Sequence, residues 1–165
     1  MPEADGIIVY GGLYDDVNAA VEDFAMIKAA HGEKWIGFYD AAVFTKTEEG
    51  KVKILDIDAS SRGATAKIGA VTGAIVGVLF PPSIIGSALV GAAAGGVIGN
   101  LSKGFGRGDI KDMAEQLEPG QAGVVLVGET TLEAGAERLM KRAKKVAKQQ
   151  VDADAKALKA QIDEL

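Results

Sequence analysis

The feature that most constrains this chain is a long uncharged segment between Lys67 and Lys103, in a protein with 25% charged residues. Pro81 and Pro82 divide the segment into two arms, because two successive prolines end a helix. Each arm carries three glycines at four-residue spacing, which places them on one face of a helix. The six glycines are Gly69, Gly73, Gly77, Gly91, Gly95 and Gly99.

The repeated glycines predict a helical hairpin in which backbones approach closely. Each glycine costs up to about 1 kcal/mol in a helix relative to alanine, so six cost on the order of 5 kcal/mol. Close helix packing is the usual compensation. Many Ile, Val and Leu residues in both arms argue against a flexible loop in water. We therefore expect a glycine-zipper hairpin over residues 63–108, folded back at Pro81 and Pro82.

The sequence leaves open whether lipid or protein covers this hairpin. The first arm, 68–80, would be roughly 20 Å long as a helix, short of the roughly 30 Å hydrocarbon core of a bilayer. The second arm, 83–102, is about long enough. The tip, FPPS, carries no charge, and the open end carries basic residues, a layout that agrees with a membrane hairpin and equally with one buried between subunits. These basic residues are Arg62, Lys67, Lys103, Arg107 and Lys111.

The residues before the hairpin predict a strand, a helix and a pair of strands. IIVY (7–10) indicates a buried strand that ends at Gly11 and Gly12. Asp15 or Asp16 can cap the helix that follows, which ends near Gly32. Residues 35–46 and 51–57 are rich in aromatic and β-branched residues and predict a hairpin through the turn TEEG. The helix has apolar positions at spacings of three and four: Val17, Ala20, Val21, Phe24, Ile27 and His31.

The residues after the hairpin predict a helix, a strand and a second helix. DIKDMAEQLE (109–118) begins at Asp109 as N-cap and closes at Pro119 and Gly120. GVVLV (123–127) lacks alternation, which indicates a central strand covered on both sides or a strand at an interface. From Thr130, which forms a capping box with Glu133, the pattern is helical nearly to the end, for more than about thirty residues.

Without residues 63–108, the order of elements is β-α-β-β-α-β followed by a helix. This order is typical of a ferredoxin-like α+β sandwich with an antiparallel sheet. We therefore predict a ferredoxin-like domain formed by residues 1–62 and 109–165, with the glycine-zipper helical hairpin inserted at 63–108 and a long amphipathic C-terminal helix.

Two features of the predicted C-terminal helix suggest contacts with a partner. RLMKRAKKVAK (138–148) has six cations and no acid: Arg138, Lys141, Arg142, Lys144, Lys145 and Lys148. Beyond it, spacings of four and three form a coiled-coil-like seam: Val151, Ala155, Leu158, Ile162 and Leu165. One interpretation is a solvated helix docked on its own sheet. The other is a basic helix on anionic lipid whose seam pairs with another subunit.

Composition argues against several classes of chemistry. There is no cysteine, which excludes disulfides, thiolate metal sites and a cysteine nucleophile. The single histidine, His31, is interpreted as a packing or helix-end residue. The pairs Asp15-Asp16 and Asp56/Asp58 are interpreted as caps and strand ends. The alternative for these carboxylates is oxygen-only binding of calcium or magnesium. KGFGRGD (103–109) follows a helix, where a phosphate-binding loop would follow a strand. We expect no cofactor.

Nucleic acid is not an expected partner either. The net charge is −5, and the basic stretch has no aromatic residues on which bases could stack. The start, MPEADG, has no basic residues leading into an apolar run. We expect the protein in the cytoplasm or at the inner face of the cell membrane.

Three stretches of the chain resemble a known family. DAAVFTKTEEGKVKILD, the two glycine arms around FPP, and DIKDMAEQLEPGQAGVVLV are similar to the bacterial and archaeal proteins of the DUF1269 family. The most specific parts are EEGKV at 48–52, the paired arms, and the element from Leu117 to Val127. The resemblance extends over residues 7–145. Members are commonly labelled membrane proteins because of the hairpin, so the resemblance implies an architecture and no particular activity.

These observations support three functional hypotheses. The first is a non-enzymatic protein that self-associates through its sheet and C-terminal helix and inserts the hairpin into a membrane, with the six glycines setting the approach of helices. The second is a soluble homo-oligomer, a ring or shell, in which the hairpins bury one another. The third is a small-molecule-binding or enzymatic domain with a pocket between sheet and helices.

Overall fold

The chain folds around a five-stranded antiparallel sheet. The computed structural model describes residues 6–33, 38–59, 76, 79–80, 82–84, 108–129, 138–151, 156–157 and 160. In chain order the elements are β1 (Ile7–Tyr14), α1 (Val17–Glu33), β2 (Phe38–Lys46), β3 (Val52–Ala59), a short 3₁₀ helix (Pro82–Ile84), α2 (Asp109–Glu115), β4 (Ala122–Glu129) and β5 (Lys145–Val151).

The strands lie in the order β3-β2-β4-β1-β5, and each is antiparallel to its neighbours. All eight residues of β1 and the first seven of β4 are buried. A strand buried on both faces reads as a continuous apolar run. The prediction that GVVLV forms a central strand is therefore confirmed, since β4 lies between β1 and β2.

Helix α1 covers one face of the sheet and α2 contributes to covering the other. On the α1 face, Phe24 and Ile27 pack with Tyr10, Val124 and Leu126 in the main hydrophobic cluster. On the opposite face, Ile110 and Met113 of α2 are buried. So are Val76, Leu79 and Phe80 from residues 63–108, which we call the glycine-rich segment. Part of that segment therefore belongs to the core of this domain.

The predicted first helix is confirmed with one change to its apolar face. The Asp16 carboxylate accepts a hydrogen bond from the Ala19 N–H at 2.8 Å, so Asp16 is the cap. Ala20, Phe24 and Ile27 are buried as predicted. Val21, however, is 44% exposed.

The predicted β2–β3 hairpin is also confirmed. Its turn begins at Thr47, whose N–H donates to the Lys51 carbonyl at 2.7 Å and whose hydroxyl accepts from the Lys51 N–H at 3.1 Å. Gly50 has φ +84°, a left-handed conformation that glycine adopts without a steric penalty.

Strand β1 is twice as long as the predicted one, because Gly11 and Gly12 continue it instead of ending it. Both glycines make room for side chains that pack on the sheet. A Cβ atom on Gly11 would lie 2.9 Å from Met113 Cε, and one on Gly12 would lie 2.6 Å from Met140 Cε. These two positions are therefore glycines because a side chain there would collide with the methionines, and not because the chain turns.

The predicted ferredoxin-like fold is wrong. A ferredoxin-like sheet would place the third strand of the chain between the first two and the fourth at an edge. Here β4 lies between β1 and β2, and β3 forms an edge. The physical reason is the polarity of the two strands. Strand β3 carries charged residues, including Lys53 and Asp56, and its pairing shifts register between Val43 and Phe44 of β2. Strand β4 is apolar enough to be buried on both sides.

The predicted long C-terminal helix is wrong as well, because residues 145–151 form β5. Seven residues of β5 pair with β1 in an unbroken register, from Lys145 opposite Leu13 to Val151 opposite Ile7. Lys, Ala and Gln favour helices in isolation, but ladder hydrogen bonds to a buried strand outweigh that preference. Val151, the first residue of the predicted seam, therefore ends a strand. The other seam residues lie outside the described part: Ala155, Leu158, Ile162 and Leu165.

The helix that was predicted at 109–118 is shorter and begins differently. It spans Asp109–Glu115, and its N-cap is Gly108, with φ 116°, instead of Asp109. Asp109 and Asp112 stand in the first turn, where carboxylates interact favourably with the helix dipole.

Candidate functional site

The tip of the glycine-rich segment lies against the sheet, on the face opposite α1. The rings of Phe80 and Phe44 meet edge to face, with centroids 5.5 Å apart and planes at 76°. Val76, Leu79 and Phe80 are each at most 4% exposed. The Phe80 N–H donates to the Val76 carbonyl at 3.1 Å, as in a helical turn. We call residues 76, 79–80 and 82–84 the docked tip.

Two lysines from elsewhere in the domain bind main-chain carbonyls of the docked tip. The Lys111 ammonium, from α2, donates to the Leu79 carbonyl at 2.8 Å. The Lys51 ammonium, beside the β2–β3 turn, donates to the Ser83 carbonyl at 3.1 Å. The sequence placed Lys111 at the open end of the hairpin, far from an uncharged tip, but the fold brings α2 and the tip together.

The predicted glycine zipper lies largely outside what the structure describes. Of its prolines, Pro82 begins the 3₁₀ helix Pro82–Ile84. Outside the described residues are Pro81 and the six glycines Gly69, Gly73, Gly77, Gly91, Gly95 and Gly99. Within the described residues, no helix is both long enough and apolar enough to cross a membrane.

A buried carboxylate joins three separate parts of the chain. Asp23, in α1, is 0% exposed. Its Oδ2 accepts hydrogen bonds from the Tyr14 hydroxyl and from the Arg142 backbone N–H, both at 2.9 Å. Its Oδ1 accepts from Arg142 Nη1 at 2.8 Å. Asp23 therefore connects α1 to the end of β1 and to the turn before β5.

The electrostatics of this cluster keep Tyr14 protonated. Burial away from water, followed by the charge of the Asp23 carboxylate, raises the pKa of the Tyr14 hydroxyl far above its usual value. The hydrogen bond that Arg142 donates to the Asp23 carboxylate raises the pKa of Arg142, which also pairs with Glu22 at 3.1 Å. A tyrosine that holds its proton this firmly suits a structural link better than proton transfer.

Asp23 was missed by the sequence reasoning, although a signal was available. It stands three residues after Ala20 and four before Ile27, within the buried stripe of α1. A carboxylate in a buried stripe needs a cationic or hydrogen-bonding partner. Its partner lies 119 residues along the chain, so the sequence could not identify it.

The predicted basic surface does not lie on one helix. Arg138 belongs to a helical stretch, Lys141 and Arg142 to a turn, and Lys145 and Lys148 to β5. Arg142 binds the carboxylates of Asp23 and Glu22, and Lys144 binds that of Asp15 at 3.4 Å. The charge left to attract a partner is smaller than the sequence suggested.

The acidic pairs have structural partners. Asp16 caps α1, and Asp56 pairs with Lys28 at 2.9 Å, which joins β3 to α1. Among the described residues no group of three or more His, Cys, Asp or Glu side chains could hold a metal ion. The side chain of His31 lies outside the described part.

Two hollows border α2. The first is an apolar cavity of about 20 Å³ between α2, Leu79 and the sheet glycines Gly11 and Gly123. It has room for about one water molecule. The second is an open cleft of about 520 Å³ at the end of the sheet, lined by Leu13, Glu115, Gln116, Leu117, Glu118, Gln121, Lys144 and Lys145. Of these two hollows, the cleft has the size of a small-molecule site.

The family profile described as "Protein of unknown function (DUF1269)" matches residues 66–163. The chain belongs to the DUF1269 family. The match begins inside the glycine-rich segment. It ends at residue 163, beyond residue 145, where the expected resemblance ended. Among the described elements it includes the docked tip, α2, β4 and β5 of this DUF1269 chain. No curated protein and no solved structure matches the chain significantly.

Proposed function

We propose that this DUF1269 protein is a non-catalytic, self-associating protein whose glycine-rich arms pack against those of a second copy. The docked tip is the observation that carries the proposal. Phe80 is buried against Phe44, and Lys111 and Lys51 bind carbonyls on either side of the prolines. The arms are therefore tied to a folded domain at their midpoint.

This attachment favours a protein neighbour over lipid as the cover of the arms. A hairpin that entered a bilayer tip first would take the ammonium groups of Lys51 and Lys111 into the hydrocarbon region. Charged groups at the centre of a bilayer are costly. A hairpin that packs on a sister subunit keeps both lysines at the protein surface, with their hydrogen bonds intact.

The glycine spacing supports backbone-to-backbone packing of the arms. Three glycines in each arm at four-residue spacing leave a smooth groove on a helix, and helices approach closely along such grooves. Bulky residues such as Ile75, Val78 and Leu89 occupy other positions in the arms. These apolar side chains would be covered by the neighbouring subunit.

The experiment measures the native mass of the full chain in buffer without detergent. We expect recovery in the soluble fraction as one defined oligomer, by size-exclusion chromatography with light scattering. Gly73→Leu and Gly95→Leu should each reduce the oligomer mass, because a leucine side chain separates the packed backbones.

Ala25→Leu is the matched control, because Ala25 is an exposed small residue of α1 and its replacement should leave the mass unchanged. A chain recovered only with detergent would show that lipid covers the arms. An unchanged mass in both glycine variants would show that the glycines are not an interface. Either result contradicts the proposal.

A further inference from the structure

We propose that the open cleft at the end of the sheet binds a small zwitterion, with an ammonium and a carboxylate group separated by an apolar stem. The acidic side chains Glu115 and Glu118 come from the end of α2 and the turn that follows. The basic side chains are those of Lys144, which directly precedes β5, and Lys145, the first residue of β5. Leu13 and Leu117 also line the cleft, and each is at most 6% exposed.

The opposite charges of the cleft do not neutralise each other. In the described part of the chain, Glu115 pairs with Lys111 of its own helix at 3.9 Å, and Lys144 pairs with Asp15 at 3.4 Å. No ion pair there joins Glu115 or Glu118 to Lys144 or Lys145. A molecule that carries both charges would complete the interaction across the gap.

The frame of the cleft is held by hydrogen bonds. The Gln121 side chain accepts from the Glu118 N–H at 2.9 Å and donates to Asp15 at 3.3 Å. The Lys144 N–H donates to the Leu13 carbonyl at 2.7 Å. These bonds fix the backbone that carries the charged side chains, so less conformational freedom is lost when a ligand binds.

The size of the cleft agrees with such a ligand. Its volume of about 520 Å³ lies within the roughly 300–1,000 Å³ of small-molecule sites. An aliphatic stem can lie across the cleft, over the exposed edges of the two leucines, while its ends meet the charged side chains. The inference is independent of self-association, because every lining residue belongs to one chain.

The experiment titrates the full chain with γ-aminobutyrate and ε-aminocaproate by isothermal titration calorimetry. We expect one of these zwitterions to bind at one site per chain. Caproate lacks the ammonium group and hexylamine lacks the carboxylate, so each should bind at least about tenfold more weakly. If neither zwitterion binds, or if caproate or hexylamine binds as tightly, the proposal is wrong.

Variants locate the site. Glu118→Gln and Lys145→Gln should each weaken binding of the zwitterion about tenfold, since each removes one charge at nearly constant shape. Lys53→Gln is the control, because Lys53 is an exposed lysine of β3 at the opposite edge of the sheet. The affinity of this variant for the zwitterion should stay within about twofold of that of the original chain. Unchanged affinity in both cleft variants would overturn the assignment.

Discussion

At the scale of single residues, one carboxylate joins segments that are far apart in the chain. Asp23 is fully buried, and its two oxygens accept three hydrogen bonds from Tyr14 and Arg142. A buried charge is stable only when it is paired and hydrogen-bonded, so Asp23 depends on both partners being in place. The cluster therefore forms together with the packing of α1 on β1 and on the turn before β5.

Replacing Asp23 should destabilise the fold more than replacing its exposed neighbour. Asp23→Asn removes the charge and places an amide where donors converge, so we expect the free energy of unfolding to fall by about 2–4 kcal/mol. Glu22→Gln removes a carboxylate that contacts the same arginine but is 63% exposed, and its effect should be a small fraction of that. Urea denaturation of both variants is the measurement. Equal losses would contradict a special role for Asp23.

The pH dependence of stability should reveal Tyr14. Its folded pKa is raised, so above the ordinary tyrosine pKa of about 10 the unfolded chain releases a proton that the folded chain keeps. The stabilisation is fully present below that pH and is lost as pH rises, by up to about 1.4 kcal/mol per pH unit. Tyr14→Phe should make this slope shallower in urea denaturation between pH 9 and 11, relative to the original chain. An unchanged slope in the variant would exclude Tyr14 as a source of it.

At the scale of elements, the two central strands use glycines to admit large side chains. Gly123 of β4 lies under the Phe44 ring, and Gly11 of β1 lies under Met113. Phe44 is held in turn by Phe80 of the docked tip. The absence of side chains at these two glycines therefore lets the docked tip and α2 pack on the same face of the sheet.

An alanine at each of these glycines should have unequal effects. On Gly123 a Cβ would lie 2.6 Å from the rigid Phe44 ring, and we expect Gly123→Ala to lower the free energy of unfolding by about 1–3 kcal/mol. On Gly11 it would meet the flexible end of Met113, so Gly11→Ala should change stability by less than about 1 kcal/mol. Thermal and urea denaturation compare the two. A larger loss for Gly11→Ala would mean that the ring moves more easily than the methionine.

At the scale of the whole molecule, the docked tip joins the glycine-rich segment to residues on both sides of it in the sequence. Lys51 precedes the segment and Lys111 follows it, and each binds a carbonyl of the tip. The segment is therefore anchored at its midpoint.

Cross-linking should detect the anchored tip in solution. The chain has no cysteine, so Lys51→Cys with Ser83→Cys introduces one unique pair. The Lys51 ammonium lies 3.1 Å from the Ser83 carbonyl, and a short bis-maleimide should join the two cysteines within one chain. Ala25→Cys with Ser83→Cys is the control, because α1 lies on the other face of the sheet. Equal intrachain cross-linking in both pairs, measured by peptide mass spectrometry, would contradict the docked tip.

Local patterns predicted several elements because neighbouring residues determine them. The spacing of Ala20, Phe24 and Ile27 predicts α1, and the glycine of TEEG predicts the β2–β3 turn. The continuous apolar run of GVVLV predicts a strand buried on both faces. For the candidate sites, the glycine pattern identified the segment whose tip docks on the sheet. The basic stretch at 138–148 included Arg142.

Other features failed to follow from local patterns because distant residues decide them. KVAKQQV favours a helix by its own propensity, but it lies beside β1 and pairs along seven residues. Gly11 and Gly12 look like a strand end until Met113 and Met140 are placed over them. Asp23 finds Arg142, and Leu79 finds Lys111, only in the folded chain.

The sequence by itself determined the family, the first helix, the β2–β3 hairpin and the buried character of β4, since these depend on residue type and short-range spacing. Tertiary structure alone decided the order of the strands, the strand at 145–151 and the position of the docked tip. The reason is that a backbone with unpaired hydrogen-bonding groups and an apolar side chain in water are both costly. Which partner satisfies them depends on the whole chain, and here the partners lie tens of residues apart.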